Sequence, residues 1–284
     1  MNILITGANG QLGREIAAQC QSRGIPYTAA DSKTLDITRE KEVRGMVRSR
    51  SPDVIINCAA YNAVDQAESE WEKAFLVNGT GVKNLALAAN EYGCRLVHYS
   101  TDYVFDGKKT RPYTIADQPH PLSRYGESKL LGEMNVRDLC EQYFLVRVSW
   151  VFGKGSTPNF PAKVLEWSRG KQELSFVDDQ VSSPTCTIDL AKATLDLVGT
   201  GSFGMYHITN TGSCSRYAWA RFILDQIQWQ GTLSRAKSAD FNTPAERPAY
   251  SVLDNFGTRE VLGYHLPAWE DATLRYLRET GAIP

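Results

Sequence analysis

A chain of 284 residues is long enough for one large α/β domain, or for a nucleotide-binding domain with a smaller satellite. Hydrophobic residues at 42% and charged residues at 22% exclude a disordered chain. The formal net charge of -1, and the lack of any apolar run near the roughly 20 residues that span a bilayer, give no reason to expect nucleic acid or a membrane as partner.

Residues 2–6 (NILIT) have the pattern of a buried strand. The glycine loop of residues 7–13 follows, and Leu12, Ile16 and Cys20 at i, i+4, i+8 predict a helix with Gly24 at its end. Residues 27–30 read as a second strand that stops at Asp31. Thr38 is placed to cap a helix carrying Val43, Met46 and Val47, which must end near Ser51-Pro52. Residues 54–58 form a third strand and 71–92 a long helix. Residues 95–101 and 144–151 are further strands, flanking a polar loop and a helix that begins near Tyr125. Such alternation of apolar strands and helices predicts an α/β fold, a Rossmann-type doubly wound parallel sheet over residues 1–150.

After Trp150 the pattern changes. Pro158, Pro161, Pro184 and Pro244 interrupt it, and helices at about 159–170, 187–198, 215–228 and 268–280 are separated by irregular segments. Residues 151–284 are expected to be mainly a smaller substrate-binding lobe, with about 187–210 returning to the Rossmann domain. The six cysteines (Cys20, Cys58, Cys94, Cys140, Cys186, Cys214) are scattered, with no CxxC pair and no Cys/His cluster, so neither a metal site nor a disulfide framework is expected. Cys58 and Cys94 read as small buried thiols of a reduced compartment. Gly7 and Gly10 interrupt the N-terminal apolar run at once, so no signal peptide is expected and the location predicted is cytoplasmic.

Two motifs carry chemistry. Gly7-Ala8-Asn9-Gly10-Gln11-Leu12-Gly13 gives GxxGxxG between an apolar strand and an amphipathic helix. Glycines permit the tight turn and a close backbone approach to a pyrophosphate, which the helix N-terminus attracts. Asp31, 18 residues beyond Gly13, stands where an acid would bond the adenosine ribose and would favour NADH over NADPH; it is also suited simply to starting a turn. The second motif, Tyr125-Gly126-Glu127-Ser128-Lys129, sets Tyr125 and Lys129 on one helix face. An ammonium there favours the phenolate and brings a phenol towards acid–base work at neutral pH. Thr101 ends the strand that should reach the same crevice, where it can bond a substrate carbonyl beside Tyr125.

With these motifs in place, the chain resembles the extended short-chain dehydrogenase/reductase superfamily, and within it the dTDP-4-dehydrorhamnose reductases, also called dTDP-L-rhamnose synthases. The segments that carry the likeness are GANGQLG (7–13), PDVIINCAAYNAVDQAESE (52–70), VHYSTDYVFDG (97–107), YGESKLLGE (125–133), RVSWVFG (147–153), VDDQVSSPT (177–185) and ERPAYSVLD (246–254). The resemblance implies reduction of the C4 ketone of dTDP-4-dehydro-L-rhamnose by NADPH or NADH. It puts Gly10, Gln11 and Leu12 on the pyrophosphate, Asp31, Asp36 and Ile37 around the adenosine, and Ala60, Tyr61 and Asn62 along the far side of the cofactor. Tyr99 would bound the nicotinamide pocket, and Thr101 and Asp102 would contact the sugar. Tyr125 would donate the proton, Lys129 would activate it and hold the ribose, and Trp150 would pack on the sugar. A turn role for Asp102 and a core role for Trp150 remain open alternatives. Relatives often have a glycine within the stretch that reads here Gln180-Val181-Ser182-Ser183-Pro184, so the loop near the nucleotide is expected to differ. Some relatives hold Mg2+ at a dimer interface; no acidic cluster here matches one, and a homodimer is the assembly considered.

Other readings on this scaffold are a 4,6-dehydratase or 4-epimerase, a reductase of another 4-keto dTDP-deoxysugar, and a non-catalytic regulatory subunit resembling the β-subunit of methionine adenosyltransferase. Thr101-Asp102-Tyr103 lacks the Glu that dehydratases carry after the Asp, and an intact Tyr/Lys pair argues against a subunit without catalysis.

Overall fold

The computed structural model describes residues 1–155 and 159–284; the expected break at Pro158 lies outside the described residues. Four consecutive apolar or β-branched residues form β1 (Ile3–Thr6), buried along its whole length, as a strand covered on both faces must be. It leads through the glycine loop to α1 (Gln11–Ser22), then β2 (Tyr27–Ala30), α2 (Glu40–Arg50) and β3 (Val54–Asn57). Next come α3 (Trp71–Phe75), α4 (Val82–Tyr92), β4 (Arg95–Thr101), α5 (Arg124–Leu139) and β5 (Tyr143–Val148). The second half contains β6 (Val151–Phe152), α6 (Phe160–Gly170), β7 (Glu173–Val177), β8 (Val181–Ser182), β9 (Thr185–Cys186) and α7 (Thr187–Thr200). It closes with β10 (Gly204–His207), β11 (Cys214–Ser215), α8 (Arg216–Gln226), β12 (Thr232–Ala236), α9 (Phe256–Leu262) and α10 (Trp269–Glu279).

The main sheet is parallel throughout, in the order β10-β5-β4-β3-β1-β2. From β1 the chain moves outward to β2 and then crosses back to β3 on the other side of β1. That reversal opens a crevice beyond the carboxyl ends of β1 and β3. Side chains alternate between the two faces. Ile3, Ile5, Val97 and Val146 pack with Ile16 of α1 and Leu190 and Leu197 of α7. Leu4, Ile55 and Leu96 pack with Val43 and Val47 of α2 and Leu85 and Ala89 of α4. A separate core joins Phe152, Phe176, Trp219, Ile223 and Tyr276 from β6, β7, α8 and α10.

Three local expectations need correction. The residue before α2 is Arg39 rather than Thr38, because the Thr38 hydroxyl donates to Asp36 Oδ1 at 2.7 Å and turns away from the helix. The helix expected over 71–92 is broken by a π turn at Leu76–Gly81, an insertion that apolar periodicity does not register. Cys58 is half-buried at the crevice rather than sealed in the core.

Candidate active site

At the sheet's crossover the crevice is a cavity of about 480 Å3. One wall comes from the loops after β1, β3 and β4 and from α5. The other comes from Trp150, Val151, Asn159 and Arg216.

The glycine loop sets the first wall. Gly7 has φ +63°, and a Cβ on it would lie 2.5 Å from the backbone nitrogen of Ala59. A Cβ on Gly13 would lie 2.5 Å from the Gly7 carbonyl oxygen. The turn between β1 and α1 therefore closes only with glycine at both ends. Neither lines the cavity; Gly10, Gln11 and Leu12 between them do. Gly10 precedes α1 with no side-chain cap, and the helix's first turn carries no acid. Its amides are therefore left to an anion in the cavity, the arrangement a dinucleotide pyrophosphate requires. The donor set fits a nicotinamide dinucleotide. Gln11 is steadied from the far wall, where Asn159 Nδ2 donates to its Oε1 at 3.0 Å.

Helix α5 brings the second set. Ser123 accepts from the Gly126 N–H at 3.2 Å and starts the helix, so Tyr125 and Lys129 point one turn apart into the cavity. Lys129 is 3% exposed and donates from Nζ to the Tyr99 carbonyl at 2.6 Å. Burial brings its ammonium down to about 8. Burial pushes the Tyr125 phenol up from its ordinary value, and the Thr101 hydroxyl beside it only partly opposes this. The expected lowering of the phenol by lysine is thus not found here, since the ammonium is directed at the Tyr99 carbonyl. Asn62 Oδ1 lies 3.5 Å from the Tyr125 hydroxyl.

Thr101 and Asp102 end β4 together. The Thr101 hydroxyl donates to Asp102 Oδ1 at 3.1 Å and accepts from the Tyr103 N–H at 3.2 Å, which fixes its oxygen next to Tyr125. Asp102 Oδ2 accepts from the hydroxyls of Ser149 (3.1 Å), Ser182 (3.2 Å) and Ser251 (2.5 Å). Burial nevertheless raises the Asp102 carboxyl above its ordinary value. Its four hydroxyl donors come from both halves of the chain, so this carboxylate is a knot between them as well as part of the wall. Trp150 also lines the wall, held at φ +44°; the Arg216 guanidinium lies 3.5 Å above its ring centre.

The remaining expected residues divide. Ala60 and Asn62 line the cavity with Asn57, Cys58 and Ala59. Tyr99 lines it too, but its hydroxyl reaches away to Thr194 of α7 at 2.8 Å. Tyr61 turns outward: Asn78 accepts from its N–H at 2.8 Å, and its phenol donates to Glu70 at 2.9 Å. Asp31 sits just past β2, bonded to the Lys33 and Thr34 N–H groups at 3.0 and 3.1 Å and to Asn9 Nδ2 at 2.5 Å. It both starts a turn and steadies the glycine loop. Asp36 accepts from Thr38, while Ile37 is buried against Gly81; neither lines the cavity.

Sequence reasoning missed Asn159, Asn78 and Arg216. Asn159 was open to detection as a helix-capping Asn ahead of Phe160-Pro161, and it does cap α6. Asn78, buried in the π turn, bonds Tyr61 and Ser128, and nothing in its neighbourhood marks it. Arg216 is an ordinary charged residue at a helix start until the fold places it in the wall.

Comparison with known proteins finds a likeness that runs along nearly the whole chain. The family model described as RmlD substrate binding domain matches residues 1–281. The spore coat polysaccharide biosynthesis protein SpsK of Bacillus subtilis is 39% identical over 277 residues, covering 98% of this chain and 97% of that one. The dTDP-4-dehydrorhamnose reductase of Burkholderia thailandensis is 37% identical over 291 residues, with 96% of each chain covered. The crystal structure of a dTDP-4-dehydrorhamnose reductase from Bacillus anthracis, in complex with NADP, superposes with a TM-score of 0.95 at 37% identity, covering 98% of this chain and 99% of that one. With that likeness running from end to end and the Thr-Tyr-Lys cavity at the sheet's crossover, the chain belongs to the dTDP-4-dehydrorhamnose reductase family.

Proposed function

We propose that this protein is an oxidoreductase that reduces the C4 ketone of dTDP-4-dehydro-L-rhamnose to dTDP-L-rhamnose, with NADPH or NADH as the reductant. The observation that carries the reading is the meeting of Thr101, Tyr125 and Lys129 with the uncapped start of α1 in one cavity. Gly10, Gln11 and Leu12 would hold the cofactor's pyrophosphate, and Lys129 its ribose hydroxyls. A nicotinamide bound there supplies the hydride that the ketone carbon receives.

The chain's own groups do the rest. Tyr125 gives its phenolic proton to the oxygen of the reduced carbonyl, completing the alcohol. Thr101, oriented by Asp102 and the Tyr103 N–H, holds that oxygen beside the phenol. Lys129 would hold the ribose of a bound cofactor, and its charge, one helical turn from Tyr125, would favour the phenolate that the proton transfer leaves behind. Residues 151–284 serve mainly as the substrate lobe in this proposal, with Val151, Asn159 and Arg216 as their contribution to the wall beside Trp150. Cytoplasmic residence, where the six thiols stay reduced, and a homodimer belong to the same reading.

The test is cofactor oxidation with a panel of 4-keto dTDP-hexoses. Turnover is expected with dTDP-4-dehydro-L-rhamnose, and Tyr125→Phe should lower kcat by roughly 10²–10⁴ while leaving cofactor affinity nearly unchanged. Undiminished turnover by that variant would remove Tyr125 from the proton-donor role.

A further inference from the structure

Two cations line the cavity, Lys129 and Arg216, on opposite walls. Lys129 is already bonded to the Tyr99 carbonyl. Arg216, the first residue of α8, has no carboxylate within ion-pairing distance among the described residues. Its guanidinium is layered on aromatic rings instead: its central carbon is 3.5 Å from the ring centre of Trp150 and 4.8 Å from that of Phe160. Trp150 in turn stacks parallel to Trp219, with centres 5.9 Å apart. The rings pack on the guanidinium where it lines the cavity, and its N–H donors have no hydrogen-bond partner among the described residues.

Arg216 is half-buried, a partly desolvated cation without an anion is costly, and that desolvation brings its guanidinium down to about 10. Structures keep such a group where a ligand completes the pair. The cavity must receive two diphosphates if its substrates are a dinucleotide and a nucleotide sugar. The α1 amides face one of them from the first wall. Arg216 stands on the other wall, beside the residues assigned to the sugar.

We infer that Arg216 is the clamp for the diphosphate of the nucleotide-sugar substrate, with Trp150 as the platform that orients it. The inference rests on the proposed nucleotide-sugar reading. It gives Trp150 a role through Arg216: one face of the indole is covered by the guanidinium, so its contribution to sugar binding is made from the edge or through the clamp.

Competitive inhibition by dTDP, with the wild-type enzyme and with Arg216→Gln and Arg216→Lys, tests this. Charge-assisted bonds of this kind correspond to about 10–100-fold in affinity, so the dTDP inhibition constant of Arg216→Gln should rise by that factor. Arg216→Lys should lose less, about 3–10-fold, since it keeps charge but not the planar fork. NADPH affinity and the thermal midpoint should stay at wild-type values in both. If Arg216→Gln does not fold, the lysine variant decides. A dTDP inhibition constant that does not move in a folded variant overturns the clamp, as does an equal loss of NADPH affinity. Wild-type enzyme insensitive to dTDP would instead sink the nucleotide-sugar reading, and the clamp with it.

Discussion

The Lys129 ammonium donates to the Tyr99 carbonyl at 2.6 Å, so the lysine one turn from the candidate proton donor is anchored to the end of β4. Burial brings this lysine down to about 8 from an ordinary 10.5. A folded value below the unfolded one means that the unfolded chain binds more protons between pH 8 and 10.5. Stability contributed by this group must therefore rise with pH across that window. At pH 7 the buried ammonium costs about 3 kcal/mol, since each tenfold loss of proton affinity corresponds to about 1.4 kcal/mol. Urea unfolding of wild type and Lys129→Met should show their difference moving in the wild type's favour by about that amount from pH 8 to 10.5. A difference independent of pH would mean that the ammonium is not buried as described. In catalysis the same group should appear as a fall in kcat/KM above about pH 8 in the free enzyme.

The four hydroxyls on Asp102 lead to a prediction of opposite sign. Burial raises this carboxyl, so the folded state binds more protons than the unfolded one just above the ordinary carboxylate range. Wild-type stability relative to Asp102→Asn should improve as pH falls from 7 through that range, and decline as it rises again. Asp102→Asn should also lower kcat, because Thr101 loses the carboxylate that orients its hydroxyl. Thermal midpoints of the pair across pH would expose a constant gap, the result that contradicts this account.

Most of the sheet was legible because β1, β3, β4 and β5 are apolar runs covered on both faces, a signal independent of distant contacts. Tyr125 and Lys129 were legible for a related reason: a four-residue spacing fixes a shared helix face whatever surrounds it. Arg216 and Asn78 were not. Their roles depend on what they meet across sequence separations that spacing cannot span, Trp150 for the first and Tyr61 and Ser128 for the second. The phenol's environment was likewise hidden, since only the fold shows the Tyr99 carbonyl taking the lysine.

The glycine loop admits a direct steric test. A Cβ on Gly13 would meet the Gly7 carbonyl oxygen at 2.5 Å and Ala8 Cα at 2.8 Å, and both belong to backbone that cannot swing aside. Gly13→Ala should therefore push α1 from the loop, costing about 1–3 kcal/mol of stability and most of the cofactor affinity. Gly24→Ala is the control: nothing lies within 4 Å of its Cβ, so it bears only the strain of its φ of +64° and should bind cofactor normally. Equal cofactor binding by Gly13→Ala and wild type would show that the loop has room the structure does not give it.

We propose that Asp31 biases the choice between the two nicotinamide cofactors. Its desolvation is outweighed by the Lys33 N–H and by the hydroxyl and N–H of Thr34, which hold the carboxyl below its ordinary value and keep it charged. A charged acid can accept from the 2′-hydroxyl of an adenosine ribose but repels a 2′-phosphate. At the surface such repulsion is about 1 kcal/mol per charge at 4 Å, and a phosphate carries up to two charges. Asp31→Ala and Asp31→Asn should therefore both raise the NADPH/NADH ratio of kcat/KM, by about tenfold. The two variants also separate the roles that Asp31 combines. Asparagine keeps an oxygen for the Lys33 and Thr34 N–H groups and so preserves the turn; alanine does not. Charge repulsion therefore predicts the same change of ratio in both variants, with a lower thermal midpoint only for alanine. A ratio that stays at its wild-type value in both, while alanine alone melts earlier, would leave Asp31 as a turn residue that steadies Asn9 and the glycine loop, and would place cofactor choice elsewhere in the wall.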